Sequence, residues 1–358
     1  MQSPILPPRQ FCSGSGSIAA SASPASPTFI PAVNPSFRDW LAPNEARRMG
    51  NFVKRALVTS LKVMKDTGIP HPDAIITGTC LGCLDYTEKL LDTLRENGEQ
   101  AFSPTWFMQS THNTVGSTLG IYTKTHGYNT TYSHSAVSFD LAVLDAWMQM
   151  QLGTISTALV GGHEEMVGHI WNLLNKRGYL GVQGMVPCGE VAMTMMLTDT
   201  VGGDLQSPTT HLCELAGVCH CYEPSVEEFR ILTEKLLHQA DLTIDNLSAV
   251  MTGINGNPSN DQPYHQITDA LFPDIPQLHY KHLFGESFAA SALGLYAAAH
   301  CLSKGFIPSS ITPVGGDLPL GRRTLATNGT QESPSPPTSI LLLNHNFGKE
   351  FSLILLKR

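Results

Sequence analysis

Two stretches of this chain echo one another, and the echo constrains the fold more than any single motif. Residues 133–155 read SHSAVSFDLAVLDAWMQMQLGTI and residues 284–307 read FGESFAASALGLYAAAHCLSKGFI. Each is a bend, a long apolar helix pattern, a glycine and then an apolar strand pattern. CGEVAMTMML (188–197) and FGKEFSLILL (347–356) pair in the same way. Self-similarity at this scale is the mark of a duplicated unit that buries its apolar face against its own copy. The boundary is placed so that residues 1–203 form one half and residues 204–358 the other. Strands alternate with helices, which predicts an α/β fold with mostly parallel sheets and helices on their faces.

The remaining elements follow from apolar spacing. Phe11–Ile18 is a candidate first strand. Glu45–Asp66 repeats apolar residues at intervals of three and four, the period of a helix. AIITGT (74–79) is a buried strand entering a glycine loop, and a helix begins near Asp85. The bend at 134–138 opens a helix over 138–151, followed by strands over 154–163 and 189–199. HLCELAGVCHC (211–221) reads as a strand. Ser225 and Glu228 form a capping box at the start of another helix. LSAVMTGING (247–256) is a strand with a polar loop, the Ala-rich 284–307 region holds a deeply buried helix, and the Pro/Ser-rich TNGTQESPSPPT (327–338) is a surface loop before two final strands.

A net charge of −8, with no run of Lys and Arg, excludes a nucleic-acid surface. No stretch approaches ~20 apolar residues, so no membrane span is expected. The start MQSPILPPRQFCSGSGS lacks the basic and apolar regions of a secretory signal. The eight cysteines show no disulfide or zinc pattern. Cys80 and Cys83 form one isolated CxxC, and Cys213, Cys219 and Cys221 beside His211 and His220 lie on a strand whose side chains alternate between faces. Thiols without metal or cofactor, in a reducing cytoplasm, are the expectation.

Six stretches in register then carry a resemblance. ARRMGNFVKRAL, ITGTCLGCLDYTEK, SPTWFMQSTHNTVGSTLGIYTKTHGYNTTYSHSAVS, LVGGHEEM with GEVAMTMML, GINGNPSND, and YKHLFGESFAASALGL with NHNFGKEFSLILL resemble, in order, the landmarks of the β-ketoacyl synthases of the thiolase superfamily. The resemblance covers about Phe11 to Leu356. It implies a thiolase-like fold of two βαβαβ-type halves stacked as an α-β-α-β-α sandwich. Members of the family carry a cysteine nucleophile at a helix mouth, two histidines and a lysine. Laid on this chain, the cysteine falls on Ala136, the histidines on Asn255 and Glu286, and the lysine on Lys281.

A methyl group cannot attack a thioester, and Glu286 is expected to set a negative charge where an enolate oxygen would develop. The segment 167–188 stands where the family has a PFDxxRDGF-type segment, whose loss is expected to remove a wall of the site. Ser135 and Ser138, beside His134, are the fallback nucleophiles, although serines on a first turn more often cap it. Cys188 reads as a packed thiol.

The resemblance is nearest to chain-length-factor subunits, which lack the cysteine and pair with a catalytic ketosynthase. GTxLGCxxxTEK, QSTHNT and HGYNxTY narrow it to the short subunits of aryl-polyene and flexirubin-type pathways. A heterodimer with a ketosynthase is then implied, with an acyl carrier protein engaged indirectly. Leu81, Trp106, Phe107, Met108, Gln109 and Asn113 fall in the region that closes the partner's acyl tunnel, or else in plain interface core. An active synthase using Ser135 or Ser138, and an acyl-thioester binder without a synthase partner, are the alternatives.

Overall fold

A computed structural model of the chain describes residues 29–99, 103–199, 211–312 and 335–358. The predicted Phe11–Ile18 strand, the 203/204 boundary and most of the Pro/Ser loop lie outside those residues. In chain order the first half contains β1 (Phe29–Ile30), α1 (Pro43–Ala46), α2 (Asn51–Thr67), β2 (Ala74–Gly78), α3 (Leu84–Asn97), α4 (Pro104–Gln109), α5 (Thr114–Thr123), β3 (Tyr128–Tyr132), α6 (Ser138–Gln151), β4 (Thr157–Glu164), α7 (Gly168–Lys176), β5 (Cys188–Gly189) and β6 (Val191–Thr198). The second contains β7 (Glu214–Tyr222), α8 (Val226–His238), β8 (Ala249–Thr252), α9 (Pro258–Leu271), β9 (Gln277–His279), α10 (Lys281–Phe284), α11 (Ala290–Lys304), β10 (Ser339–Asn346) and β11 (Glu350–Lys357).

The strands make two main sheets with matching order, β3-β2-β4-β6 and β9-β8-β10-β11, the second extended by β7. In each, the second strand runs parallel to both neighbours, and the last is antiparallel. The sheets are therefore mixed rather than mostly parallel. The reason is local: β10 and β11 are joined by a tight Phe347–Lys349 turn, which can only connect antiparallel strands.

The two long helices of the echoed stretches, α6 and α11, lie between the sheets. Helices α2 and α5 cover the outside of the first sheet, and α8 and α9 the outside of the second. This is the α-β-α-β-α layering. The middle layer is thin because small residues face it. A Cβ on Gly78 would lie 2.5 Å from the backbone of Phe139, so the start of α6 rests directly on β2. A Cβ on Gly162 would lie 2.7 Å from the Ala292 methyl on α11. Helix α11 is buried on nearly all sides, as its Ala-rich composition requires.

The helix expected over 45–66 is broken. α1 stops at Ala46 and α2 starts at Asn51, because Gly50 is extended and packs against the Tyr86 ring, where a Cβ would sit 2.7 Å from it. The expected 154–163 strand begins only at Thr157, since the Asp73 carboxylate takes the N–H groups of Ser156 and Thr157, each at 2.9 Å. The Ser225–Glu228 capping box is formed.

On β7 the thiols separate as strand alternation demands, with one departure. Cys219 and Cys221 face the outer cluster, but Cys213 packs toward the central layer. A register shift opposite Leu355/Leu356 inserts one extra residue and reverses the alternation. Among the described residues no group of His, Cys, Asp and Glu could hold a metal ion, and no helix is long and apolar enough to cross a membrane.

His163 on β4 is the most strained burial in the first sheet. Its ring lies against Gly161, where a Cβ would come 2.4 Å from Nε2, and neither ring nitrogen has a hydrogen-bond partner among the described residues. Burial pushes its pKa down to about 3. The unfolded chain takes a proton on this histidine below about pH 6.5, whereas the folded chain does not until far lower. The stability it contributes is therefore complete above about pH 6.5 and is lost as pH falls. His163→Leu should shrink the drop in unfolding free energy between pH 7 and pH 5 by about 2 kcal/mol, measured by urea denaturation at the two pH values.

Candidate functional site

The bend between β3 and α6 is built by its serines. Ser138 Oγ donates to the Ser135 carbonyl at 2.7 Å and accepts the His134 N–H at 2.8 Å, so it ties the bend together just before the helix rather than capping the helix's own N–H groups. Ser135 takes a left-handed backbone, φ 48°. His134 turns outward, with Nε2 2.7 Å from Glu350 Oε1. Between Ser135 and Ser138, Ala136 presents a methyl group to a pocket and its carbonyl to Asn344 Nδ2 at 2.8 Å.

Behind this bend sits Asp140, fully enclosed in the first turn of α6. Its carboxylate accepts from Ser291 Oγ on α11 at 2.7 Å, from Asn344 Nδ2 on β10 at 3.0 Å and from Ser352 Oγ on β11. Tyr264 on α9 extends the chain of bonds by donating to Asn344 Oδ1 at 3.0 Å. Burial pushes the Asp140 carboxyl pKa up, and the hydroxyl and amide donors pull it back down.

The other three predicted positions meet across the same pocket. Lys281 Nζ lies 2.9 Å and 2.8 Å from the two oxygens of Glu286, with both side chains nearly excluded from solvent. The Ser287 N–H also donates to Glu286, at 2.9 Å, and Asn255 Nδ2 donates to its other oxygen. Asn255 is fixed in turn, its N–H held by Asp261 at 2.9 Å and its side-chain carbonyl taking the Asn257 N–H at 2.9 Å. The carboxylate expected at Glu286 stands in this pocket against the Lys281 ammonium. The ammonium neutralises the carboxylate, and the four predicted positions form a site whose polar groups are spent on one another.

The cavity has a volume of about 220 Å³. Beyond Ala136, Asn255, Lys281 and Glu286, its walls include Cys188 and His345, and Arg177, Tyr179 and Phe347 stand at the rim. His345 is neutral: its ring bonds to the Asn260 carbonyl at 2.8 Å and takes the Gly348 N–H at 3.2 Å, and burial lowers its pKa to about 4. The Cys188 thiol is driven far above the ordinary range by burial and by the carboxylates of Glu286, Glu164 and Glu190, which makes it inert. The expected loss of a wall at 167–188 does not occur. That segment crosses the pocket and is sewn to it, through Val186 N to Asn255 O at 2.8 Å and Glu286 N to Pro187 O at 2.8 Å.

The tunnel residues are not brought to this pocket as a group. Leu81 packs against the cluster of Met166, Trp171, Leu180 and Cys188 behind it. Its loop is fastened by Glu164, which accepts from Cys80 N at 2.7 Å and Leu81 N at 3.0 Å, and whose burial raises its pKa to about 8. Trp106, Phe107, Met108 and Gln109 stand on α4, away from the pocket lining. Phe107 and Met108 are 53% and 70% exposed. Gln109 instead braces the α1–α2 corner, accepting from Gly50 N at 3.3 Å and donating to the Arg48 carbonyl. Asn113 is exposed just before α5.

Asp140, His345, Tyr179 and Phe347 were not singled out by sequence. Only Asp140 carried a signal, as a lone carboxylate inside the apolar run SFDLAV, where a buried and satisfied polar group is the physical expectation. Removing one member of the Lys281–Glu286 pair leaves a buried charge without its counterion. Glu286→Ala should cost about 3–5 kcal/mol in chemical denaturation, and Lys281→Met combined with Glu286→Ala should cost clearly less than Glu286→Ala alone.

A family model for the N-terminal domain of β-ketoacyl synthases matches residues 21–228, more than half of the chain. Curated proteins give no match. Among solved structures, the ishigamide ketosynthase/chain length factor superposes with a TM-score of 0.77 at 16% identity, covering 92% of this chain and 87% of that one. A β-ketoacyl synthase from Burkholderia phymatum STM815 gives 0.70 at 16% identity, with 92% and 88% covered. The ketosynthase ApeO in complex with its chain length factor ApeC, from Xenorhabdus doucetiae, gives 0.66 at 16% identity, with 88% and 84% covered. At such identity these likenesses speak for the fold, which is thiolase-like. With the family match and the order of its landmarks, they identify this chain as a member of the β-ketoacyl synthase family.

Proposed function

We propose that this chain is a ketosynthase-like subunit of the chain-length-factor kind, without acyl-enzyme chemistry of its own. It pairs with a catalytic β-ketoacyl synthase and shapes the tunnel in which that partner extends a carrier-bound acyl chain. The observation that carries this reading is the helix mouth itself: a methyl at 136, a serine at 138 whose hydroxyl is tied into the bend, and a Lys281 ammonium held by Glu286. A methyl group cannot take an acyl chain from a thioester, and an ammonium paired with a carboxylate is a poor donor for an enolate oxygen.

The surface supports a partner. β3 is the edge strand of its sheet, and it is exposed or half-exposed along its whole length. Large apolar side chains stand open on it and nearby, namely Tyr128 on β3, Ile121 on α5, and Phe107 and Met108 on α4. Apolar and aromatic groups of this kind, clustered at the surface, suit an interface rather than solvent. Phe107 and Met108 are the side chains placed to reach beyond this chain's own body. The resemblance to aryl-polyene and flexirubin-type subunits makes a conjugated acyl chain the proposed cargo of the complex.

Two measurements test the reading. Incubation with an acyl-carrier or acyl-CoA thioester should leave the intact mass of the purified chain unchanged. An acyl adduct that disappears in Ser135→Ala would establish the serine mechanism instead. Co-expression with a catalytic ketosynthase from the same genome should yield a stable 1:1 complex, in which Phe107→Ala or Met108→Ala alters product length. Recovery of the two proteins as separate species would overturn the pairing.

A further inference from the structure

Between α7 and β5 the chain passes over the pocket as RGYLGVQGMVP, residues 177–187. Gly178, Gly181 and Gly184 all take left-handed backbones, with φ of 74°, 69° and 84°. A Cβ on Gly178 or Gly184 would meet nothing within 4 Å. The positive φ is what calls for glycine at both positions; Gly178 turns in open space, whereas the Gly184 carbonyl rests on Gly256, where a Cβ would come 2.3 Å from it, which makes Gly184 the anchored end of a hinge.

Within the same stretch only Leu180 is buried, at 6% exposure. It fills a gap between Met166, Trp171 and Cys188. Most polar ties sit near the ends, where Gly178 N and Tyr179 N donate to the Asn175 and Leu174 carbonyls at 2.9 Å and 3.0 Å and Met185 N donates to the Val182 carbonyl at 3.0 Å; one, at Leu180, is mid-segment. Asn257 Nδ2 holds the Gly178 carbonyl at 3.2 Å, Asn175 Nδ2 holds the Leu180 carbonyl at 3.3 Å, and Val186 N is bonded to Asn255 O. Across the rim the Tyr179 ring meets that of Phe347, with centroids 5.3 Å apart and both half-exposed. Cys188, 3% exposed, lies underneath.

We propose that residues 178–184 are a lid over the pocket, pivoting at Gly178 and Gly184 and latched by the insertion of Leu180 beside Trp171. Lifting the lid withdraws one apolar side chain and breaks few hydrogen bonds, so it occurs without unfolding either sheet. It uncovers the floor at Cys188 and widens the space between Ala136 and the Lys281–Glu286 pair. The device belongs to this chain alone and stands whether or not the chain pairs with a synthase.

Cys188 reports the opening. The full chain is treated with N-ethylmaleimide, and labelling of Cys188 is followed by peptide mass against Cys301, which is equally buried but lies in the central layer. In the unsubstituted protein, Cys188 should label faster than Cys301, at a rate insensitive to urea below the unfolding transition, as local opening requires. Leu180→Ala should speed Cys188 by about tenfold or more and leave Cys301 unchanged, whereas Leu180→Met should stay close to the parent. If the two cysteines label with the same urea dependence, or if Leu180→Ala speeds both alike or neither, there is no lid.

Discussion

The architecture turns on one buried carboxylate. Asp140 sits where four separately formed pieces of chain converge: the first turn of α6, the body of α11, and the two strands β10 and β11. Burying such a group costs several kcal/mol unless every lone pair is met, so the three side chains that donate to it are constrained to one arrangement. Through Asn344 the same network reaches the Ala136 carbonyl and the Tyr264 hydroxyl. The helix mouth is thereby fixed from behind, by groups that never touch the pocket.

In the pocket in front of it, polar groups bond to one another. A glutamate beside a retained lysine makes an ion pair, and Asn255 supplies one more donor to the same carboxylate. Each change alone would leave a buried charge or an open hydrogen bond; together they leave almost none. The cavity of about 220 Å³ is lined by Asn255, Lys281 and Glu286, which are bonded to one another, and by a Cys188 thiol whose pKa burial drives up.

Much of the layered fold could be read from the chain. The echoed helices are the middle layer because small residues on both faces allow two sheets to close on them, and small residues are visible in a sequence. Ala136, Asn255, Lys281 and Glu286 were legible as one site because their spacing along the chain follows landmarks in fixed order. What escaped depended on neighbours distant in sequence. The break at Gly50 needs the Tyr86 ring, and the reversal of faces on β7 needs an extra residue in its pairing with β11. The 167–188 segment read as a loss because its motif differs, although its path over the pocket is set by backbone bonds that carry no sequence signature.

Among the described residues, no strand pairs with the outer edge of the strand that precedes the helix mouth. Unpaired N–H and C=O groups along a bare edge are a template on which foreign strands can grow, and β3 shows few of the blunting devices that guard such edges: no proline, no lysine, no bulge in its YNTTY run. A polypeptide made in excess over whatever covers that edge is exposed to misassembly in proportion to the excess. Covering that edge is thus a condition of colloidal survival for the folded chain.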